Sequence, residues 1–159
     1  MSYSLQENFE YIRMDALVSE RLTASPRIVD IYGYCGMSIL SEFLAGGDLE
    51  AKVAATGGYI EQADLHDETE VKPQNNYTSY EKLMLATGMA RAIADLHGFE
   101  GGVIVHDDIQ LCQFFVHDGV VKLNDFNRAE IMLWDENNEE YCRYRNGRGH
   151  GNVSVSFLH

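Results

Sequence analysis

Two aspartates, Asp108 and Asp125, flank a segment whose residues favour a tight β-hairpin. Phe114-Phe115-Val116 and Val120-Val121-Lys122-Leu123 are short runs of strand formers. Asp118-Gly119 between them tolerates the positive φ angles of a two-residue hairpin turn. A hairpin returns its ends to one place. The spacing therefore predicts that Asp108, just before the first strand, and Asp125, just after the second, face a common pocket. Converging carboxylates suit either metal–phosphate binding or acid–base chemistry.

Several elements must hold that hairpin in place. Tyr11, Met14, Val18 and Leu22 recur at three- and four-residue steps and predict a helix over 8–22, ended by Ser25-Pro26. Ile28 to Tyr34 and Met37 to Leu44 read as strands, with Gly36 allowing the reversal between them. Asp48 is placed to cap a short helix from Leu49 to about Ala55. Residues 57–76 are polar and acidic and read as a surface loop; His66 among its carboxylates lacks any spacing that would fix a metal. Thr78 to His97 is the clearest helix, opened by a Thr78/Glu81 capping box. Its stripe of Leu85, Met89, Ile93 and Leu96, widened by Ala86, Ala90 and Ala94, predicts a central, buried position. Beyond Arg128 the chain is polar and of mixed charge, with Arg143, Arg145 and Arg148 opposite several acids, and reads as a loop.

A chain of 159 residues forms one domain with a real core. A formal net charge of −13 argues against nucleic acid or an anionic membrane surface as partner. The three cysteines, Cys35, Cys112 and Cys142, follow no ligand spacing and predict free thiols in a reducing compartment. The opening MSYSLQENFEYIRM has no basic stretch followed by an apolar run, and no apolar run is long enough to cross a membrane. A cytoplasmic location is the resulting expectation.

At Val105 to Arg128 the chain resembles the catalytic loop and metal-binding segment of eukaryotic protein kinases. His106-Asp107-Asp108-Ile109 stands where that family has His-Arg-Asp-Leu, and Gln113 where it has a metal-binding Asn. Asp125-Phe126-Asn127 stands where it has Asp-Phe-Gly. Upstream, SERLTASPRIVDIYGYCGMSILSEFLAGGDLE resembles the end of helix C, strands four and five, the hinge and the start of helix D, and ADLHG resembles the end of helix E. The resemblance implies an α+β, protein-kinase-like fold that is incomplete. It would form a single partial domain over 8–159, with an N-lobe remnant and hinge at 8–44 and a C-lobe portion at 45–159.

The same resemblance implies ATP and Mg2+ as cofactors. Asp108 would orient a substrate hydroxyl and accept its proton, while Asp125 and Gln113 would hold the metal. Glu42, Leu44 and Phe115 would line the nucleotide, with backbone groups of Glu42 to Ala45 on the adenine edge. Ser41 would be the gatekeeper, and Asp15 would stand for the family's helix C Glu; its other reading is a solvated helix charge. The departures are specific. Asp107 replaces an Arg, Gln110 replaces the phosphate-contacting Lys, Ser19 replaces an apolar residue beside Phe126, and no Gly-rich loop or Val-Ala-Ile-Lys strand occurs in the chain.

Two functions of different class follow. One is a protein kinase that transfers phosphate from ATP to a protein hydroxyl in full-length form, this chain being a fragment of low or no activity. The alternative is a pseudokinase or kinase-derived interaction module without turnover. A different two-carboxylate metal enzyme would leave the hinge, helix and hairpin order unexplained.

Overall fold

A computed structural model describes residues 5–53 and 75–142. Helix α1 (Leu5–Leu22) is followed by β1 (Ile31–Cys35), β2 (Ser38–Ser41), α2 (Leu49–Val53) and α3 (Ser79–His97). Then come β3 (Val103–Val105), a 3-10 turn at Leu111–Gln113, β4 (Phe114–His117), β5 (Val120–Leu123), β6 (Glu130–Met132), β7 (Trp134–Asp135) and β8 (Glu140–Tyr141). The described residues are thus α+β. The strands pair antiparallel in four two-stranded sheets, β1-β2, β3-β6, β4-β5 and β7-β8. No described helix is long and apolar enough to cross a membrane.

The hairpin forms as its sequence predicts. Phe114 pairs with Leu123 and His117 with Val120, and Asp118 (φ 48°) and Gly119 (φ 79°) make the turn. Residues opposite one another on antiparallel strands share a face. One face, Phe114, Val116, Val121 and Leu123, enters the core, where Phe114 and Leu123 are fully buried. Phe115, Lys122, His117 and Val120 take the other face.

Two ties hold the hairpin to the first half of the chain. Leu123 donates its N–H to the Arg27 carbonyl at 2.8 Å, and Val29 donates to the Leu123 carbonyl at 3.0 Å. Asp48 bridges to Phe115. Ile28 and Val29, predicted to begin the first strand, are consequently buried against Leu123 rather than part of the β1-β2 ribbon. That ribbon turns at Gly36 (φ 58°); it is shorter than predicted at its open end, where it stops at Ile31 and Ser41, and β1 runs one residue further into the turn, to Cys35.

Helix α3 carries the expected capping box. Glu81 donates its N–H to Thr78 Oγ1 at 3.2 Å, and Thr78 donates its N–H to Glu81 Oε2 at 2.7 Å. Gly88 brings the helix close to β5, since a Cβ there would lie 2.6 Å from Val121 Cγ2. The predicted central burial is corrected. Only Ala92 and Leu96 are buried, with Leu85, Met89 and Ile93 packed alongside, while Tyr80, Leu83 and Met84 are exposed. The apolar stripe is wider than the hairpin it covers. The Arg27 guanidinium forks onto Asp95 at 2.8 and 2.9 Å, and Ser25 Oγ donates to the same carboxylate, which fixes α3 to the turn after α1.

Two further strand pairs stand where a mixed-charge loop was predicted. Glu130–Met132 pairs with Val103–Val105, and Trp134 pairs with Tyr141. Strands of two or three residues carry too few positions for an alternating pattern to show. The His66 region and most of the predicted acidic loop, residues 54–74, lie outside the described residues, as do Arg143, Arg145, Arg148 and the C-terminal run to His159.

Candidate functional site

The site begins with His106, which follows β3 and is only 4% exposed. Its Nδ1 accepts the Asp108 N–H at 3.3 Å, and its Nε2 meets the Asn124 carbonyl at 3.0 Å. A nitrogen that accepts cannot carry a proton, so the ring is neutral with its proton on Nε2, donated to Asn124. Burial is the largest influence on this imidazole and holds its pKa below the ordinary value, against the pull of the Asn124 carbonyl and of Asp125, Asp108 and Asp107. Phe126, with no exposed surface, meets the ring edge to face at 5.3 Å. One side chain therefore ties the backbone at Asp108 to the backbone beside Asp125, across the base of the hairpin.

Both loops are held in unusual backbone geometry. Asp107 (φ 61°) and Asp125 (φ 62°) are non-glycine residues in the left-handed region. Such conformations cost free energy, are best tolerated by Asn and Asp, and persist where the surroundings fix them. Asn127, by contrast, is not among the residues with positive φ.

Each predicted site residue can be located. Asp108 Oδ1 accepts from Gln110 Nε2 at 2.6 Å and lies 3.5 Å from Arg128 Nη1. Gln113 Nε2 donates to Asp125 Oδ2 at 3.1 Å. The amide nitrogen of Gln113 thus orients Asp125, and its oxygen is the atom available in chemistry for a cation. A carboxylate oxygen from Asp125 with an amide oxygen from Gln113 is a hard donor pair suited to magnesium when phosphate oxygens supply further ligands. Among the described residues, no group of three or more His, Cys, Asp or Glu side chains is arranged to hold a metal alone.

Glu42 and Phe115 are brought to one face of the hairpin. Phe115 sits opposite Lys122, whose ammonium bonds Glu42 Oε1 and lies 3.9 Å from Asp30. Glu42 also accepts the Asp30 N–H at 2.8 Å. Burial alone would raise the Glu42 pKa, but Lys122 and the Asp30 N–H outweigh it and the net shift is downward. Leu44 is half-buried, two residues further on. Asp15 is more than a solvated helix charge: its Oδ1 accepts the Phe126 N–H at 2.9 Å. Burial raises its pKa, partly offset by that bond, with Asp125 adding to the rise. Ser19 is buried.

Sequence reasoning passed over two cations. Lys122 counted only as a strand residue; strand parity, which sets it beside Phe115 rather than in the core, was the available signal. Arg128 was no more than a segment boundary. Its Nη2 donates to Asp107 Oδ2 at 2.9 Å while Nη1 faces Asp108. The acid that replaces Arg in the catalytic-loop resemblance is thus paired with a base from the other loop.

No protein-family model matches this chain. No curated protein matches it either.

Proposed function

We propose that the chain is a divergent, partial protein-kinase-like domain. Its full-length form transfers phosphate from ATP to a protein hydroxyl, and this chain alone has low or no activity. The observation that carries this is the His106 tie, which joins the loops of Asp108 and Asp125 at the foot of a hairpin whose other face meets Glu42.

Phosphoryl transfer asks the protein mainly to position groups and to neutralise developing charge. Asp108, steadied by Gln110, is suited to orient an acceptor hydroxyl and take its proton. Asp125, steadied by Gln113, is suited to hold magnesium, which when bound would neutralise the nucleotide phosphates. The segment Glu42 to Ala45 and Phe115 would hold the adenine.

The second function, an interaction module without turnover, is favoured by one observation. Asp15 is bonded to the Phe126 N–H, within the fold, rather than to a lysine that would hold phosphates. The test is Mg-ATP binding followed by NMR. Weak binding that perturbs amides near Asp108 and Asp125 and is lost in Asp125→Ala supports a nucleotide site. No binding by this chain or by any longer form containing it rules the site out. In a full-length form that transfers phosphate, Asp108→Asn abolishes transfer and leaves nucleotide binding nearly intact; unchanged transfer removes Asp108 from its role.

A further inference from the structure

Resting on the nucleotide site proposed above, we infer that Lys122 is a positioning residue for the base: through the Glu42 carboxylate it holds residues 42–45 in their binding shape. That segment is an arch fastened at both ends. At the first end Glu42 is held by backbone and side chain. Its N–H donates to the Asp30 carbonyl at 2.9 Å, and its carboxylate accepts the Asp30 N–H at 2.8 Å. The same carboxylate oxygen bonds the Lys122 ammonium, which reaches it from β5. At the second end Gly46 lies so close to β4 that a Cβ would run into the Val116 carbonyl, and Asp48 bridges to Phe115. Between the ends Phe43 and Ala45 are exposed. A chain pinned at its ends and open between them is restricted in shape yet reachable by a ligand.

The pair is built for position more than for stability. The Lys122 and Glu42 side chains are each only 10% exposed. Taking two charges out of water offsets much of their attraction, so uncharged residues often replace such a pair at little cost in stability. What the charges supply is one fixed geometry between a β5 side chain and the start of the arch. Phe115, expected beside the base, stands directly across the hairpin from Lys122. The same strand leads on to Asp125, with at most about 11 Å of chain between Lys122 and that aspartate. One strand thus sets both ends of the site, the base through Lys122 and the metal through Asp125. Ordering a segment on binding costs free energy, and an arch held in advance spares the ligand that cost.

The test titrates the intact chain with adenosine, Mg-ATP and Mg-tripolyphosphate in 15N spectra. In the parent, adenosine and Mg-ATP should move the amides of residues 42–45, and tripolyphosphate should move those of Asp108 and Asp125 instead. Lys122→Met combined with Glu42→Gln removes both charges and keeps an oxygen for the Asp30 N–H. This double variant should melt close to the parent, weaken adenosine and Mg-ATP by the same factor, about three- to tenfold, and leave tripolyphosphate unchanged. Lys122→Arg, which keeps a cation for Glu42, should bind adenosine more tightly than the double variant. Should the double variant not fold, the parent decides: the Lys122 13Cε signal, assigned by its disappearance in Lys122→Arg, should move with adenosine and not with tripolyphosphate. Adenosine binding by the double variant equal to that of the parent, a parallel loss of all three ligands, or a Lys122 signal that adenosine leaves still overturns the role of Lys122, and the nucleotide site stands. If Mg-ATP moves Asp108 and Asp125 but nothing in residues 42–45, the base lies elsewhere and the role of Lys122 falls while the metal–phosphate site stands. If Mg-ATP moves no signal in residues 42–45 or at Asp108 and Asp125, both fall together.

Discussion

The loops around His106 and the β1-β2 ribbon are similar in size and opposite in construction. Around His106, Phe126 and Ile104 have no exposed surface, and polar backbone groups at Asp108, Asn124 and Phe126 are all bonded by side chains. In the ribbon, Tyr32, Tyr34 and Leu40 are 69%, 56% and 65% exposed, and backbone pairing between β1 and β2 is the main tie. A two-stranded ribbon by itself is marginal in water. The contrast teaches where this fold places its precision: a few buried side chains, acting on backbone groups, fix two acidic loops, while the exposed apolar side chains of the ribbon rest on strand pairing and on the contact of β1 and β2 with α1.

The largest effect should follow from emptying the space under the loops. Phe126→Ala removes a fully buried ring and is expected to cost about 3–5 kcal/mol in urea unfolding. A loss below about 1 kcal/mol would mean that the ring does not anchor the loops. Next comes His106→Phe, which keeps an aromatic ring but orphans the Asp108 N–H and the Asn124 carbonyl. A fully buried group left without a partner costs about 1–3 kcal/mol, and these two, both part-buried, should each cost about 1 kcal/mol. Amide exchange at Asp108 should rise in step with that loss, whereas a purely packing role would leave exchange unchanged.

His106 also gives the loops a pH dependence. Its folded pKa lies below the unfolded value of 6.5, so the unfolded chain takes up the proton first. The stabilising contribution is complete above about 6.5 and declines as pH falls below it toward the folded pKa. His106→Phe should abolish that part of the slope; an unaltered profile would assign it to other groups. Asp15 has the opposite sign. Its folded pKa is raised above 3.8, so its contribution is complete below that value and is lost as pH rises through the folded pKa. Asp15→Asn keeps an oxygen for the Phe126 N–H and removes the buried charge. The variant should be at least as stable as the parent at pH 7 and gain nothing at pH 3, by thermal melts; destabilisation at pH 7 would show the charge itself to be favourable.

The smallest effect belongs to the ribbon. Tyr34→Ser and Leu40→Ser, at exposed positions, should each change stability by no more than about 0.5 kcal/mol. A loss near that of Phe126→Ala would erase the contrast between the two regions.

The sequence made the hairpin legible because Asp118-Gly119 specifies one turn and stands between two short runs of strand formers. The capping box at Thr78 and Glu81 was legible for the same reason: short-range chemistry with one geometry. The depth of α3 was not, because a wide apolar stripe does not say how much of it a neighbour covers, and Ala86, Ala90 and Ala94 stay exposed. The β3-β6 pair joins residues far apart in sequence through strands of three, which local pattern cannot reveal. At the site, residue types suggested Asp108, Gln113 and Asp125. The pairing of Arg128 with Asp107 joins side chains 21 residues apart, a tertiary contact that residue identity alone leaves open.

The central claim is that positions 108 and 125 face a single metal–phosphate site. Substoichiometric Mn2+ with ATP, added to the 15N-labelled chain, broadens amides according to their distance from the ion. The amides of Asp108 and Asp125 should broaden together, ahead of those in β1 and β2, and recover with excess Mg2+. Broadening at one of the two without the other, or centred on any other part of the chain, would contradict it.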